Sequence, residues 1–138
     1  VQSPPIDDSV VTVENVDFGF DRGLIFEKLS LSIPRGKVTV VMGPSGCGKS
    51  TLLGMIGGRL KPRRGQLKFD GRSINKARGG KLYELRREMG MLFQNSALLT
   101  DLSTFENIAF PLREQTRLPE EIIRLLVLMK LEIVGLRG

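Results

Sequence analysis

Apolar and β-branched residues are concentrated in short segments of the first half of the chain, and each segment predicts a strand. Residues 10–16 are rich in valine, and residues 29–33 alternate leucine or isoleucine with serine, as in a half-buried strand. Residues 38–42 form a continuous β-branched run, which is typical of a parallel strand buried on both faces. We therefore expect a buried strand that leads directly into residue 43.

Further strands are predicted downstream. Residues 66–69 alternate polar and apolar side chains, and Asp70-Gly71 is a strong hairpin turn into residues 72–74. Residues 89–93 are a second apolar segment that ends at Gln94, and we expect them to form another strand.

Two helices are predicted between these strands. Residues 49–60 place leucine, methionine and isoleucine on one side of a helix, and Gly57-Gly58 favours its termination. Residues 81–88 are expected to form a second, shorter helix.

Two more helices are predicted near the end of the chain. Ser103 and Glu106 have capping-box spacing and predict the start of a short helix that Pro111 ends. Pro119 is expected at the first position of a last helix that runs to about residue 134. This last helix is so apolar that it has to pack against something.

A phosphate-binding motif follows the predicted buried strand: residues 43–50 fit the pattern G-x-x-x-x-G-K-[ST]. Glycines let backbone N–H groups turn inward around a phosphate chain, and the loop delivers that anion to the positive end of a helix. Lys49 can reach the β- and γ-phosphates, and the Ser50 hydroxyl can ligate Mg²⁺. We interpret the segment as a P-loop, the alternative being a glycine-rich structural turn. The candidate nucleotide-binding residues are Gly43, Pro44, Ser45, Gly46, Cys47, Gly48, Lys49, Ser50 and Thr51.

The composition is that of an ordinary globular domain. Of the 138 residues, 41% are hydrophobic and 26% are charged, and no stretch approaches the ~18–20 apolar residues of a membrane span. One cysteine and no histidine rule out an internal disulfide, argue against a zinc site and remove a common general base. Residues 1–9 lack the apolar segment of a signal peptide and are expected to be a flexible tail.

The net charge of +6 includes a basic cluster between residues 61 and 87. Such a surface can attract nucleic acid, anionic lipid headgroups or nucleotide phosphates. Aromatic residues do not interleave the basic ones in the way nucleic-acid binding usually requires, so we favour a solvated face. For Cys47, inside the P-loop, the alternatives are a reactive thiol and a tolerated small side chain without a role. We favour the second and expect the thiol to be chemically accessible.

The order of motifs along nearly the whole chain resembles the nucleotide-binding subunit of ABC transporters. The motifs in question are Phe18-Gly19-Phe20, residues 29–33 with Pro34-Arg35-Gly36, residues 43–51, residues 65–71, Met-Leu-Phe-Gln at 91–94 and Glu-Asn-Ile at 106–108. The resemblance implies an α/β P-loop NTPase of the ABC-ATPase type. Residues 10–138 would hold its N-terminal antiparallel β subdomain, part of the parallel RecA-like core and the start of the helical subdomain.

The resemblance also implies roles for individual residues, with ATP and Mg²⁺ as cofactors. Phe20 would stack on adenine, and of Phe18 and Phe20 one is expected to be core. Gln94 would be the Q-loop glutamine, which contacts Mg²⁺ and the water region and senses the membrane subunit. The alternative for Gln94 is a polar cap at the end of a strand. Lys49 and Gln94 would be catalytic, and Ser50 and Gln94 would hold the metal.

Within this family, residues 91–101, 107–114 and 129–138 are similar to the Mla-type phospholipid transporters, also called the MCE-associated or toluene-tolerance type. This likeness implies a peripheral ATPase on the cytoplasmic face of the Gram-negative inner membrane that powers phospholipid transport for outer-membrane lipid asymmetry. Its partners would be a second copy of itself, a membrane permease, an MCE lipid-binding subunit and a small STAS-domain subunit, with no nucleic acid.

The sequence departs from the family in what it lacks. It has no Leu-Ser-Gly-Gly-Gln type signature, no apolar strand ending in Asp-Glu and no switch histidine. We therefore expect a truncated subunit that is inactive by itself. Three alternatives remain: a soluble ABC ATPase acting in DNA repair or translation, an ABC importer ATPase for another substrate, and an unrelated P-loop kinase. The compact spacing between Lys49 and Gln94 disfavours the soluble ABC ATPase.

Overall fold

The computed structural model describes residues 8–20, 23–94 and 97–136 of the chain. Its elements in chain order are β1 (Ser9–Phe20), β2 (Gly23–Pro34), α1 (Lys49–Ile56), β3 (Arg64–Phe69), β4 (Arg72–Ser73), α2 (Gly80–Arg87), α3 (Thr104–Gln115) and α4 (Glu120–Ile133). They belong to two compact units that divide after Met91. None of the helices seen in these ranges has the length and apolarity needed to cross a membrane.

The first unit is built on an antiparallel sheet with the strand order β2-β1-β3-β4. In the central strand β1, Val13 lies opposite Leu31 of β2 and Leu67 of β3. Val13, Val16 and Leu67 are fully buried, and α1 contributes Leu52 and Met55 to the same core. The predicted antiparallel β subdomain is confirmed, and β1 and β2 are longer than the apolar patterns indicated.

The predicted hairpin at Asp70-Gly71 is confirmed. Both residues have positive φ, +49° and +72°, as a two-residue hairpin of the favoured hand requires. Lys68 pairs with Ser73 and Phe69 with Arg72 on either side of the turn. The predicted tail at residues 1–9 lies outside the described residues except for Asp8 and Ser9, and Ser9 already begins β1.

The strands predicted at residues 38–42 and 89–93 are not formed, so these two predictions are wrong for this structure. Val38 is 94% exposed and Met42 is 83% exposed, although both were expected to be buried. A strand needs a neighbour for its N–H and C=O groups. In the described part of the chain the four strands pair only with one another, and neither segment has a partner. An apolar sequence alone does not supply a partner strand.

The predicted helices are all present, with shifted ends. Helix α1 ends at Ile56 with Gly57 as its C-cap, where the glycine pair indicated, and α2 lies where the second helix was expected. The Ser103 side chain accepts a hydrogen bond from the Glu106 N–H at 3.1 Å, which confirms the predicted helix start. Pro119 caps α4 from outside, one residue before the predicted position.

Helix α3 continues through Pro111 to Gln115, so the prediction that Pro111 ends it is wrong. Proline costs a helix one hydrogen bond and a clash with the preceding turn. Contacts beyond the proline offset this cost: Leu112 packs against the core shared with α4, and Arg113 forms ion pairs with Glu106 and Glu120. Tertiary contacts therefore extend the helix past a residue that usually stops one.

The second unit is a pair of helices around a small core of Ala109, Ile123 and Val127. One side of the apolar helix α4 thus packs against α3, as expected of so apolar a segment. Its other side is exposed and includes Leu125, Leu128 and Ile133.

Candidate functional site

The predicted P-loop connects the sheet to α1 without regular structure, and its glycines adopt conformations that other residues rarely take. Gly46 and Gly48 have φ of +82° and +98°. At Gly48 a Cβ would lie 2.6 Å from the Cζ atom of Phe26 and 2.7 Å from Cγ2 of Ile25, both on β2. Glycine is therefore required at position 48 by backbone conformation and by the close approach of β2.

The N-terminus of α1 is free of the groups that usually neutralise a helix start. The N-cap residue, Gly48, provides no side-chain hydrogen bond, and the first turn of α1 contains no acidic residue. The first N–H groups of a helix carry partial positive charge and bind anions readily. This end of α1 is thus suited to a phosphate group.

Lys49, the first residue of α1, reaches back across the loop. Its Nζ donates hydrogen bonds to the carbonyl oxygens of Gly43 and Pro44, both at 2.7 Å, and lies 3.6 Å from the Sγ of Cys47. In the ranges that the structure describes, Lys49 has no carboxylate partner. Its charge is therefore held over the loop and remains available to an anion.

The remaining loop residues surround this lysine. Pro44, Ser45, Gly46, Cys47 and Ser50 are exposed, and Thr51 is half-buried. The Ser50 hydroxyl makes no hydrogen bond with any other described residue, so its oxygen is accessible to a hard cation. Nowhere in the described ranges do three or more His, Cys, Asp or Glu side chains form a metal-binding group. A Mg²⁺ ion here would depend on hydroxyl, phosphate and water oxygens.

The two phenylalanines at the end of β1 are sharply different in burial. Phe18 is 5% exposed and belongs to the core of the sheet, whereas Phe20 is 55% exposed. Their rings meet edge to face, with centroids 5.2 Å apart and an interplanar angle of 87°. Phe18 therefore contacts the Phe20 ring from the core side, and the rest of the Phe20 ring stays accessible to solvent. A stacking role for Phe20 needs this arrangement.

Gln94 belongs to the second unit, where it is an exposed turn residue. The structure thus brings Lys49, Ser50 and the loop glycines together in the first unit and leaves Phe20 exposed on the same unit. Sequence reasoning missed Asn107, whose side chain forms four hydrogen bonds with residues 99–103. The Glu-Asn-Ile motif pointed to this position, but nothing in the sequence indicates that the amide turns back onto the preceding loop.

Part of the basic cluster has a structural role. Arg72 donates hydrogen bonds to both carboxylate oxygens of Glu88, and these bonds hold the pKa of Glu88 below its usual value. Arg86 donates to the carbonyl oxygens of Gly57 and Gly58 at 3.0 and 3.2 Å, at the end of α1. These two arginines therefore stabilise the fold, and the solvated face stays an interpretation for the rest of the cluster.

Comparison with known families gives one strong match. The family model described as ABC transporter matches residues 26–136, which include the P-loop, Gln94 and Asn107.

Curated relatives extend the match. The intermembrane phospholipid transport system ATP-binding protein MlaF of Haemophilus influenzae is 53% identical over 130 residues, which are 94% of this chain and 49% of that protein. The protein of the same name from Escherichia coli K12 is 51% identical over 128 residues, 91% of this chain and 48% of that protein. The probable ribonucleotide transport ATP-binding protein mkl of Mycobacterium leprae is 42% identical, over 93% of this chain and 37% of that protein. The chain therefore spans about half the length of the MlaF relatives.

Solved structures give the same fold. The structure of cbiO1 from Clostridium perfringens, part of the ABC transporter complex cbiONQ, is 30% identical with a TM-score of 0.79, over 95% of this chain and 52% of that one. An ATP-binding cassette in a dimeric post-hydrolysis state, bound to ADP and Pi, has the same identity and TM-score over 93% of this chain and 58% of that one. The predicted ABC-ATPase fold class is confirmed.

Proposed function

This chain belongs to the ABC transporter family, and we propose that it is the nucleotide-binding part of an ATPase subunit that powers phospholipid transport. The observation that carries the proposed cargo is the 53% identity, over 94% of the chain, to a protein named for intermembrane phospholipid transport. In the complete subunit, ATP binding and hydrolysis would be coupled to transport that maintains lipid asymmetry of the outer membrane.

ATP would be held by the P-loop and Phe20. Backbone N–H groups of residues 45–51 would surround the phosphates, and the Lys49 ammonium would exchange its two carbonyl partners for β- and γ-phosphate oxygens. The exposure of Phe20 supports its role as the residue that stacks on adenine. Ser50 would hold Mg²⁺ through its hydroxyl oxygen, and the resemblance to the family implies the same role for the side-chain oxygen of Gln94. The bound ion supplies positive charge that offsets the charge of the phosphates.

Hydrolysis also needs groups outside this sequence. The chain contains no histidine and no Ser-Gly-Gly sequence, so a switch histidine and a signature loop have to come from elsewhere in the complete subunit or its dimer partner. We expect two copies of the subunit to face each other across the nucleotide. The other partners proposed are a membrane permease, an MCE lipid-binding subunit and a small STAS-domain subunit, at the cytoplasmic face of the inner membrane.

The contact with the permease is proposed at the loop that follows Gln94. This loop exposes Leu98, Leu99 and Leu102, and such a surface fits an apolar partner segment of matching shape. Gln94, at the start of the same segment, would report the permease's state to the nucleotide.

The proposal is tested in the complete subunit by Lys49→Ala and by deletion of the gene. The variant should bind or turn over ATP at background level, because it loses the positive charge placed on the phosphates. Deletion should raise phospholipid in the outer leaflet of the outer membrane and sensitise cells to detergent. A deletion strain with a normal envelope but impaired uptake of a sugar, amino acid or metal would refute the lipid cargo. Normal turnover by Lys49→Ala would refute the P-loop assignment itself.

A further inference from the structure

The Asn107 side chain, one turn into α3, is bonded on every side to the loop that precedes the helix. Its Oδ1 accepts a hydrogen bond from the Leu99 N–H at 2.8 Å. Its Nδ2 lies 3.0, 3.1 and 3.0 Å from the carbonyl oxygens of Leu99, Leu102 and Ser103, so its two hydrogens are shared among three acceptors. Rotating the amide by half a turn would place Oδ1 against three carbonyl oxygens. The orientation is therefore fixed, and the site requires both an acceptor and donors.

The loop held in this way has little else to define it. Residues 98–102 form no helix or strand, and their one internal backbone hydrogen bond runs from the Leu102 N–H to the Leu99 carbonyl at 3.1 Å. Asn107 binds the N–H and the carbonyl of Leu99 at one end of this turn and the carbonyl of Leu102 at the other, so it holds both ends. Most of the hydrogen bonds that hold the loop therefore come from the side chain of Asn107.

The conformation that results keeps apolar side chains in contact with water. Leu98 is 66% exposed, and Leu99 and Leu102 are also exposed. Together with α3, the end of α4 and the residues after it, they border a cavity of about 500 Å³. Exposed leucines on an irregular loop would gain free energy by turning inward. The Asn107 hydrogen bonds hold the leucines outward instead. We take this as an indication that their exposure serves a function.

We propose that Asn107 is a positioning residue: its amide holds residues 98–102 open so that the three leucines form the surface that the permease recognises. This rests on the proposed function, which places the permease at the same loop. Aspartate cannot replace Asn107, because it retains the acceptor but loses the donors and sets a negative charge against three carbonyl oxygens. Recognition of the partner therefore depends on a residue that need not touch it.

The test compares Asn107→Asp with Asn15→Asp in the complete subunit. Asn15 offers a matched control, because the change in charge is the same and its side chain forms no hydrogen bond with the described residues. Asn107→Asp should speed hydrogen exchange at the Leu99 amide by about tenfold or more, since that amide loses its fixed partner. Retention of the permease on the immobilised subunit in detergent should fall by about tenfold, while ATP affinity stays within about twofold of the unaltered subunit. Asn15→Asp should change none of these.

Two results would overturn the inference. Unchanged exchange at Leu99 in Asn107→Asp would mean that the amide does not hold the loop. Faster exchange with full retention of the permease would mean that the loop's conformation is not what the permease recognises. A second variant, Leu98→Asp, keeps the Asn107 bonds and should lose the permease with exchange at Leu99 unchanged. Full retention by Leu98→Asp overturns the inference even if Asn107→Asp fails to fold. If even the unaltered subunit retains no permease, the result contradicts the proposed function itself and not only the role of Asn107.

Discussion

Replacing Gly48 by alanine tests the backbone of the P-loop, because two separate features require glycine there. Its φ of +98° costs an L-residue roughly 1–2 kcal/mol. A Cβ would also lie 2.6 Å from Phe26 and 2.7 Å from Ile25, and overpacking of this kind costs about 1–3 kcal/mol. We therefore expect Gly48→Ala to lower the free energy of unfolding by about 2–5 kcal/mol.

Gly46→Ala is the matched control. Gly46 has a similar φ, +82°, but a Cβ there would meet nothing within 4 Å. It should lose only the conformational cost, roughly 1–2 kcal/mol. Both variants restrict the unfolded chain equally, so that contribution cancels when the two are compared. The remaining difference, about 1–3 kcal/mol, measures the contact between the loop and β2.

The assay is urea unfolding of the complete subunit, with the midpoint and slope determined for each variant. At equal slope, a lower midpoint for Gly48→Ala than for Gly46→Ala supports the reasoning. Equal midpoints for the two variants would refute it, because the approach of Phe26 and Ile25 would then not constrain position 48.

Three further predictions concern the site and the helix pair. Alkylation of the exposed Cys47 should be slowed by Mg-ATP, because the nucleotide fills the loop around the thiol; equal rates with and without nucleotide would place Cys47 outside the site. Gln94→Ala should weaken coupling of ATP turnover to transport more than it weakens ATP binding, and a collapse of nucleotide affinity with coupling intact would contradict the role proposed for Gln94. The hydrogen bond from Arg113 lowers the pKa of Glu120, so the stabilisation is present at neutral pH and is lost as pH falls through that lowered pKa. The melting temperature of Arg113→Gln should thus lie below that of the unaltered protein at pH 7 and approach it below about pH 4; a gap that persists in acid would show that the carboxylate is not responsible.

The elements that sequence predicted well are those whose causes are local. Asp70-Gly71 makes a hairpin because these two residue types tolerate positive φ, and Ser103 caps α3 through a residue three positions away. Residues 38–42 and Pro111 were predicted wrongly because their conformation depends on distant partners. The first has no neighbouring strand among the described residues, and the second lies in a helix that ion pairs and core contacts extend.

The residues of the candidate site show the same difference between local and long-range causes. The motif identified the positions of Lys49 and Ser50, since the spacing of glycines and lysine is a property of the sequence. The choice between Phe18 and Phe20 needed the fold, because burial depends on the core of the sheet. Asn107 could not be assigned its contacts in advance, since they arise from the path of a loop that has no regular pattern.

The pairing of β1 with β3 has a consequence for the order in which the first unit folds. The ion pair that joins these strands, between Lys68 and Glu14, spans 54 residues of chain, and that span contains β2, the P-loop and α1. The β1–β2 hairpin joins neighbours in sequence and can form within microseconds, whereas closing the longer loop costs more entropy and is slower. Because α1 packs on the core to which β3 contributes Leu67, the P-loop acquires its final setting only after this slow closure. The ability to bind nucleotide should therefore be gained late in refolding, after most molecules have already formed the β1–β2 hairpin.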